Sequence, residues 1–269
     1  MRTHWRTYLI PALLLVSCVL LSACKSPAEQ RVCFFGSSVC RGVGADALHG
    51  YAAQVTEALP AGWESVNISI DGNNTYDLFA RFDRDMTPVE AKYVVIGISL
   101  GNEGLHEKGA RAMLSYRENM PCLIRMLQEQ GRVVVVTNNY PRADFNEVDY
   151  ADLCDVNLEV QQWDVPTINV FGTIDDGAGR WAAHLWNGSD IYHPNQLGHE
   201  AMASAFPKSK KAQRLLSIGE NSRHFSGARL FFKYSMVLGR QLSTSGIRWR
   251  ARRSLMISIT DTSSDLLLL

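Results

Sequence analysis

Residues 132–137 read RVVVVT. A half-buried strand alternates apolar and polar side chains, whereas an unbroken β-branched run marks a strand covered on both faces. Residues 93–98, YVVIGI, read the same way, and 31–35, 65–70 and 167–170 read as further strands. Between them, helical spacing is predicted over 51–59, 76–85, 109–130, 146–163 and 195–206. In the longest, Met113, Tyr116, Met120, Leu123, Ile124 and Leu127 fall on one face. Strand and helix alternate throughout, which predicts an α/β fold: a three-layer α/β/α sandwich around a parallel central sheet. Such sheets bind ligands at the carboxyl ends of their strands. The loops that follow strands are therefore where chemistry is expected.

Three of those loops and one late segment carry reactive residue types. They are Gly36-Ser37-Ser38, Asp71-Gly72-Asn73-Asn74-Thr75, Ser99-Leu100-Gly101-Asn102-Glu103-Gly104, and Ser189-Asp190-Ile191-Tyr192-His193-Pro194-Asn195. Together they supply the parts of an acyl-transfer site. A serine hydroxyl needs a base, and histidine titrates in the right range. Asp190, three residues before His193, is spaced to hold the other ring nitrogen. Gly72 offers a backbone N–H and Asn102 a side-chain amide for a developing oxyanion, with the N–H of the serine itself as a third donor.

The four segments resemble the blocks of the GDSL/SGNH hydrolase family of esterases and lipases. FFGSSVCRGVGA is similar to the block carrying the nucleophile, and ISIDGNNT to the one with the oxyanion glycine. GISLGNEG is similar to the Gly-x-Asn block, and SDIYHPNQLGHEAMA to the Asp-x-x-His-Pro block with its following helix. They occur in family order across roughly residues 31–206. The resemblance implies a flavodoxin-like sheet, Ser38, Asp190 and His193 as catalytic residues, and Ser38, Gly72 and Asn102 as the oxyanion hole. It implies a serine hydrolase acting on ester bonds without a cofactor, the substrate being a small-molecule or carbohydrate ester, acetyl esters first. A lipase, lysophospholipase or thioesterase would use the same residues on a longer acyl chain, and a catalytically silent glycan-binding protein would keep only the fold. Two positions depart from the family: Ser37 stands where Asp usually precedes the nucleophile, and Glu103 where Asp often follows the Asn. Ser37 is the one competitor for the nucleophile's role.

The chain of 269 residues is 46% hydrophobic and 20% charged, an ordinary globular balance, and its zero net charge gives no sign of a nucleic-acid partner. Residues 1–23 read as a signal peptide: a basic start, then an apolar run too short to span a bilayer comfortably. The LSAC that closes it resembles a bacterial lipobox, so Cys24 is the expected lipidation site and the cell envelope the expected location, the outer membrane if the cell is Gram-negative. Domain boundaries are expected at 24–206 for the hydrolase and 207–269 for a tail, which holds about a dozen Lys and Arg against Glu220, Asp261 and Asp265. Within the tail 215–219, 228–234 and 255–259 have strand character, and the segment reads as a truncated or poorly ordered β-rich module. Export permits disulfides, but the pairing of Cys33, Cys40, Cys122 and Cys154 is left open, and no spacing suggests a metal site. His199 reads as a packing residue, His106 and His184 receive no role, and Trp181 and Trp186 are candidates for a substrate wall. Oligomeric state is not legible.

Overall fold

The computed structural model describes residues 27–207, 238–243 and 246–251. Strands β1 (Arg31–Gly36), β2 (Glu64–Asn67), β3 (Tyr93–Gly97), β4 (Val133–Thr137) and β5 (Thr167–Ile168) form one parallel sheet in the order β2-β1-β3-β4-β5. This is the doubly wound, flavodoxin-like order. The connecting helices are α1 (Ser38–Arg41), α2 (Tyr51–Glu57), α3 (Thr75–Ala80), α4 (Leu100–Glu103), α5 (Leu105–Lys108), α6 (Ala110–Glu129), α7 (Glu147–Val160), α8 (Phe171–Ile174) and α9 (Gln196–Ser204).

Alternation along the strands divides the core in two. Cys33, Phe35, Val94, Ile96, Val134 and Val136 pack with Tyr116, Met120, Leu123 and Leu127 of α6 and with Leu153 and Val156 of α7. Val32, Phe34, Val95 and Val135 pack with Tyr51 and Ala52 of α2 and with Met202 and Ala203 of α9. Both faces of the central strands β1, β3 and β4 are covered, which is why those three are largely apolar, whereas the edge strand β2 is Glu-Ser-Val-Asn and partly exposed; each fully buried Leu, Val or Phe contributes about 2 kcal/mol. The expected three-layer α/β/α sandwich is the fold observed.

Element edges differ from expectation where side chains intervene. The helix expected over 76–85 stops at Ala80 and is followed by a π-helical turn, Phe82–Met86. The break falls at Arg81, whose guanidinium turns inward to the carbonyls of Gly36 and Ile68. The strand expected over 167–170 ends at Ile168, where the Val170 N–H turns back to the Ile168 carbonyl and α8 begins. The short helices α1, α4 and α8 carry too few residues to show a helical period in the sequence.

The strand order reverses between β1 and β3, the topological switch point where a crevice opens. The last paired residues there are both glycines, Gly36 opposite Gly97. A β-carbon on Gly36 would collide with the Gly97 carbonyl, and one on Gly97 with Cys40 and the Tyr51 hydroxyl. The two bare positions let α1 lie down on the sheet end and bring the loops after β1 and β3 side by side.

A second compact unit, Glu220–Leu269, contributes an antiparallel hairpin of β6 (Leu238–Ser243) and β7 (Gly246–Ala251). The strands expected over 215–219, 228–234 and 255–259 lie outside the described residues, as do the signal segment and Cys24. The four remaining cysteines are free thiols, Cys33 and Cys40 buried. Burial pushes the Cys33 thiol up to about 12, so it behaves as a small apolar side chain. Among the described residues no helix is long and apolar enough to cross a membrane.

Candidate active site

Ser38 is the first residue of α1, and Ser37, in extended conformation, is the N-cap before it. Gly42 ends the turn in the left-handed region, with its N–H bonded to the Ser38 carbonyl. The two serines diverge. Ser37 is fully buried and its hydroxyl accepts from the Asn102 amide at 2.9 Å. The Ser38 hydroxyl lies 2.9 Å from Nε2 of His193.

His193 sits on a loop stitched from within. Asn195 caps α9 by accepting the Gly198 N–H, while its amide donates to the carbonyls of His184 and Trp186. Trp186 donates its indole N–H to the Asp190 carbonyl at 2.8 Å. On this frame Asp190 Oδ2 stands 2.7 Å from His193 Nδ1, and Asp190 Oδ1 accepts the Tyr192 N–H. Partial burial disfavours the Asp190 carboxylate, but the bonds from His193 and Tyr192 outweigh it and hold its pKa below the ordinary value. A carboxylate fixed on Nδ1 leaves Nε2 to face the serine in its acceptor form.

A pocket of about 320 Å³ opens over these groups, bordered by Ser38, Gly72, Asn102, Arg142, Tyr192 and His193. The N–H groups of Ser38 and Gly72 have no acceptor among the described residues. Gly72 takes φ +73°, and a β-carbon there would meet no protein atom within 4 Å. Its demand for glycine is thus conformational. Asn102 accepts the Ser99 N–H at 3.1 Å on Oδ1, which fixes Nδ2 toward Ser37 and the pocket. A larger cleft, about 580 Å³, runs between α2 and α9 past Glu57, Trp63 and Phe206 and holds none of these groups. Its size carries no chemistry.

Three charged residues tie the loops together: Glu103, singled out in the sequence as a departure from the family, and Arg81 and Arg142, which the sequence reading passed over. Arg81, 5% exposed, bonds the carbonyls of Gly36 and Ile68 and the side chain of Asn73, and its guanidinium stacks 4.6 Å from the Phe35 ring centroid. Glu103, 4% exposed, accepts the Thr75 N–H at 2.7 Å, joining the loop after β3 to the end of the Gly72 loop. Burial raises the Glu103 pKa against the lowering effect of those Thr75 bonds. Arg142 donates to the Gly101 carbonyl, Glu107 and Asp144, and lies 4.5 Å from the Tyr192 ring centroid.

The two tryptophans are a correction. Trp181 is 3% exposed and packs in the core beneath the sheet face that carries α2 and α9. Trp186 serves the Asp190 loop, and neither borders the pocket. His199 is fully buried between α9 and the loop after α1, bonded to the Tyr51 N–H and the Val43 carbonyl. His106 pairs with Asp149 at 2.6 Å, and that bond raises its pKa.

Serine, histidine and aspartate gathered at the switch point of a parallel α/β sandwich form an arrangement that hydrolases use for acyl transfer. The model of the GDSL-like lipase/acylhydrolase family matches residues 34–201, more than half of the chain, and the chain belongs to that family. It is a hydrolase acting on esters. Among solved structures, a lipolytic protein of the G-D-S-L family from Desulfitobacterium hafniense is similar at 14% identity and TM-score 0.56, over 66% of this chain and 97% of its own. An acetylxylan esterase from Geobacillus stearothermophilus is similar at 20% identity and TM-score 0.54, over 67% and 94%. An acylhydrolase from Bacteroides fragilis is similar at 16% identity and TM-score 0.53, over 80% and 100%. At these identities the likeness is one of fold. No curated protein matches the sequence.

Proposed function

We propose that this chain is an envelope-anchored serine esterase that removes short acyl groups, acetyl first among them, from carbohydrates or other small esters. The observation that carries the mechanism is the relay Ser38 Oγ to His193 Nε2 at 2.9 Å and His193 Nδ1 to Asp190 at 2.7 Å. Ser38 Oγ attacks the ester carbonyl as His193 takes its proton, and the ionised Asp190 stabilises the imidazolium. The N–H groups of Ser38 and Gly72 and the second Nδ2 hydrogen of Asn102 receive the oxyanion. Collapse expels the alkoxide, which leaves with the His193 proton. Water, deprotonated by His193, then attacks the acyl-enzyme, and the carboxylic acid departs as Ser38 recovers its hydrogen.

Short acyl groups are favoured by the pocket, whose volume is near the lower end for ligand sites and whose aliphatic lining is Val39 and Val43. The acetylxylan esterase neighbour supports a carbohydrate as the alcohol half. Envelope anchoring rests on the basic-apolar start and the LSAC at residues 21–24; metabolic labelling with a fatty acid that is lost in Cys24→Ser tests it. A fluorophosphonate probe and an ester series of rising acyl length test the rest. Labelling abolished by Ser38→Ala, with kcat reduced by roughly 10⁵ or more and falling kcat/KM beyond acetate, is the expected result. Labelling that survives Ser38→Ala overturns the nucleophile, and a preference for long chains replaces the short-acyl reading with a lipase.

A further inference from the structure

The relay fixes which side of the pocket each half of an ester occupies. The carbonyl oxygen points to Ser38 N–H, Gly72 and Asn102. His193 Nε2 returns its proton to the alkoxide, so the alcohol half must leave alongside His193. The aromatic side chain that borders the pocket beside His193 is Tyr192, whose ring centroid lies 6.4 Å from that of His193 at an interplanar angle of 64°.

Tyr192 is 50% exposed, yet its backbone is anchored and one ring face is supported. Its N–H is tied to Asp190, and the carbonyl of the preceding Ile191 accepts the Ala143 N–H. One face of the ring rests on the Arg142 guanidinium, which is itself fixed by Asp144, Glu107 and the Gly101 carbonyl. With the carboxylates of Asp144 and Glu107 beside it, the guanidinium's charge is already matched, and it acts as a support that polarises the ring. The result is a flat, preorganised aromatic surface at the leaving-group exit, on the wall that the two tryptophans do not provide. Its complement is a ring with an apolar C–H face, as a pyranose has, rather than a flexible alkyl alcohol.

We infer that Tyr192 is the specificity-determining contact for the alcohol half of the ester, stacking against a sugar ring; this rests on the serine-esterase reading above. The test compares kcat/KM for an acetylated methyl xyloside with that for ethyl acetate, which has the same acyl group and no ring. In Tyr192→Leu the sugar-to-ethyl ratio falls roughly tenfold, mainly through KM. Tyr192→Phe retains the ratio, since it keeps the ring. An unchanged ratio in Tyr192→Leu, or an equal loss on both esters, overturns the assignment, because the ring would then serve only the His193 loop. Wild-type protein that turns over neither ester, and takes no fluorophosphonate, overturns the esterase reading itself and the assignment with it.

Discussion

The Asn102 side-chain amide donates to the hydroxyl of Ser37, the residue that replaces the family's usual aspartate, at 2.9 Å. Its other end is committed to the Ser99 N–H at 3.1 Å. An amide nitrogen carries two hydrogens, so one remains for the pocket, aimed by the bond that Ser37 accepts. Serine thus retains the acceptor role that a carboxylate would have there, without burying a charge at a fully buried position. Removing it in Ser37→Ala leaves a buried N–H unpaired and the amide held through Oδ1 alone. We expect kcat to fall about tenfold with KM little changed, since the loss is felt at the oxyanion. Fluorophosphonate labelling of Ser38 should persist, which separates this role from that of a second nucleophile.

Glu103 is the other departure from the family, and it fastens two catalytic loops by accepting the Thr75 N–H. Glu103→Ala leaves that N–H buried without a partner and should cost about 1–3 kcal/mol. Denaturant unfolding measures this. Glu103→Gln keeps an acceptor and removes the charge that burial disfavours. Because burial raises the Glu103 pKa in the fold, the native state binds more protons than the unfolded one. Its contribution is therefore fully present below the ordinary carboxylate pKa and lost as pH rises through the raised one. Glu103→Gln should accordingly be more stable than wild type at neutral pH, with less decline from acid to neutral.

Local pattern made the sheet and the four site segments legible, because each strand or loop carries its chemistry within a few residues. Ser38, Gly72, Asn102, Asp190 and His193 announce themselves by residue type and by the strand that precedes them. Arg81 and Arg142 do not, since they reach Gly36 and Gly101, 45 and 41 positions away, and Glu103 stood out only as a departure from the family, its partner Thr75 lying 28 positions away. Arg81, inside the expected helix over 76–85, reads as solvent-facing until the fold turns it inward. The tryptophans differ for the converse reason: aromatic side chains fit a core and a substrate wall equally well, and only the fold shows Trp181 in the core. Helix starts were legible at the caps Asn146 and Asn195, and both ends of the long helix at Gly109 and Gln130.

Asp190 carries a pKa held below the ordinary carboxylate value by its bonds to His193 and Tyr192, against the effect of partial burial. It therefore stays ionised through any neutral or mildly acidic assay. Asp190→Asn keeps the shape but loses the charge and offers an N–H where His193 needs an acceptor, so the wrong tautomer is favoured. A loss in kcat of roughly 10⁴ is expected, measured as steady-state turnover on an acetate ester. A loss of less than about tenfold would show that the pair does not work as a relay.

The neutral ring of His199 is expected to make the fold sensitive to acid. The Tyr51 N–H donates to its Nδ1, so the ring hydrogen must sit on Nε2, where it bonds the Val43 carbonyl. Both nitrogens are satisfied only in the neutral ring, and a proton added at Nδ1 would face another N–H. Burial drives the pKa down from 6.5 to about 4. The unfolded chain therefore binds more protons between these values, and the stability that neutral His199 supplies is intact above pH about 6.5 and lost progressively as pH falls to about 4. The full loss is about 3 kcal/mol. Urea unfolding at a series of pH values should show this decline in wild type and a shallower one in His199→Gln, which keeps a donor and an acceptor without titrating. Parallel curves for the two proteins would assign the acid sensitivity to other groups.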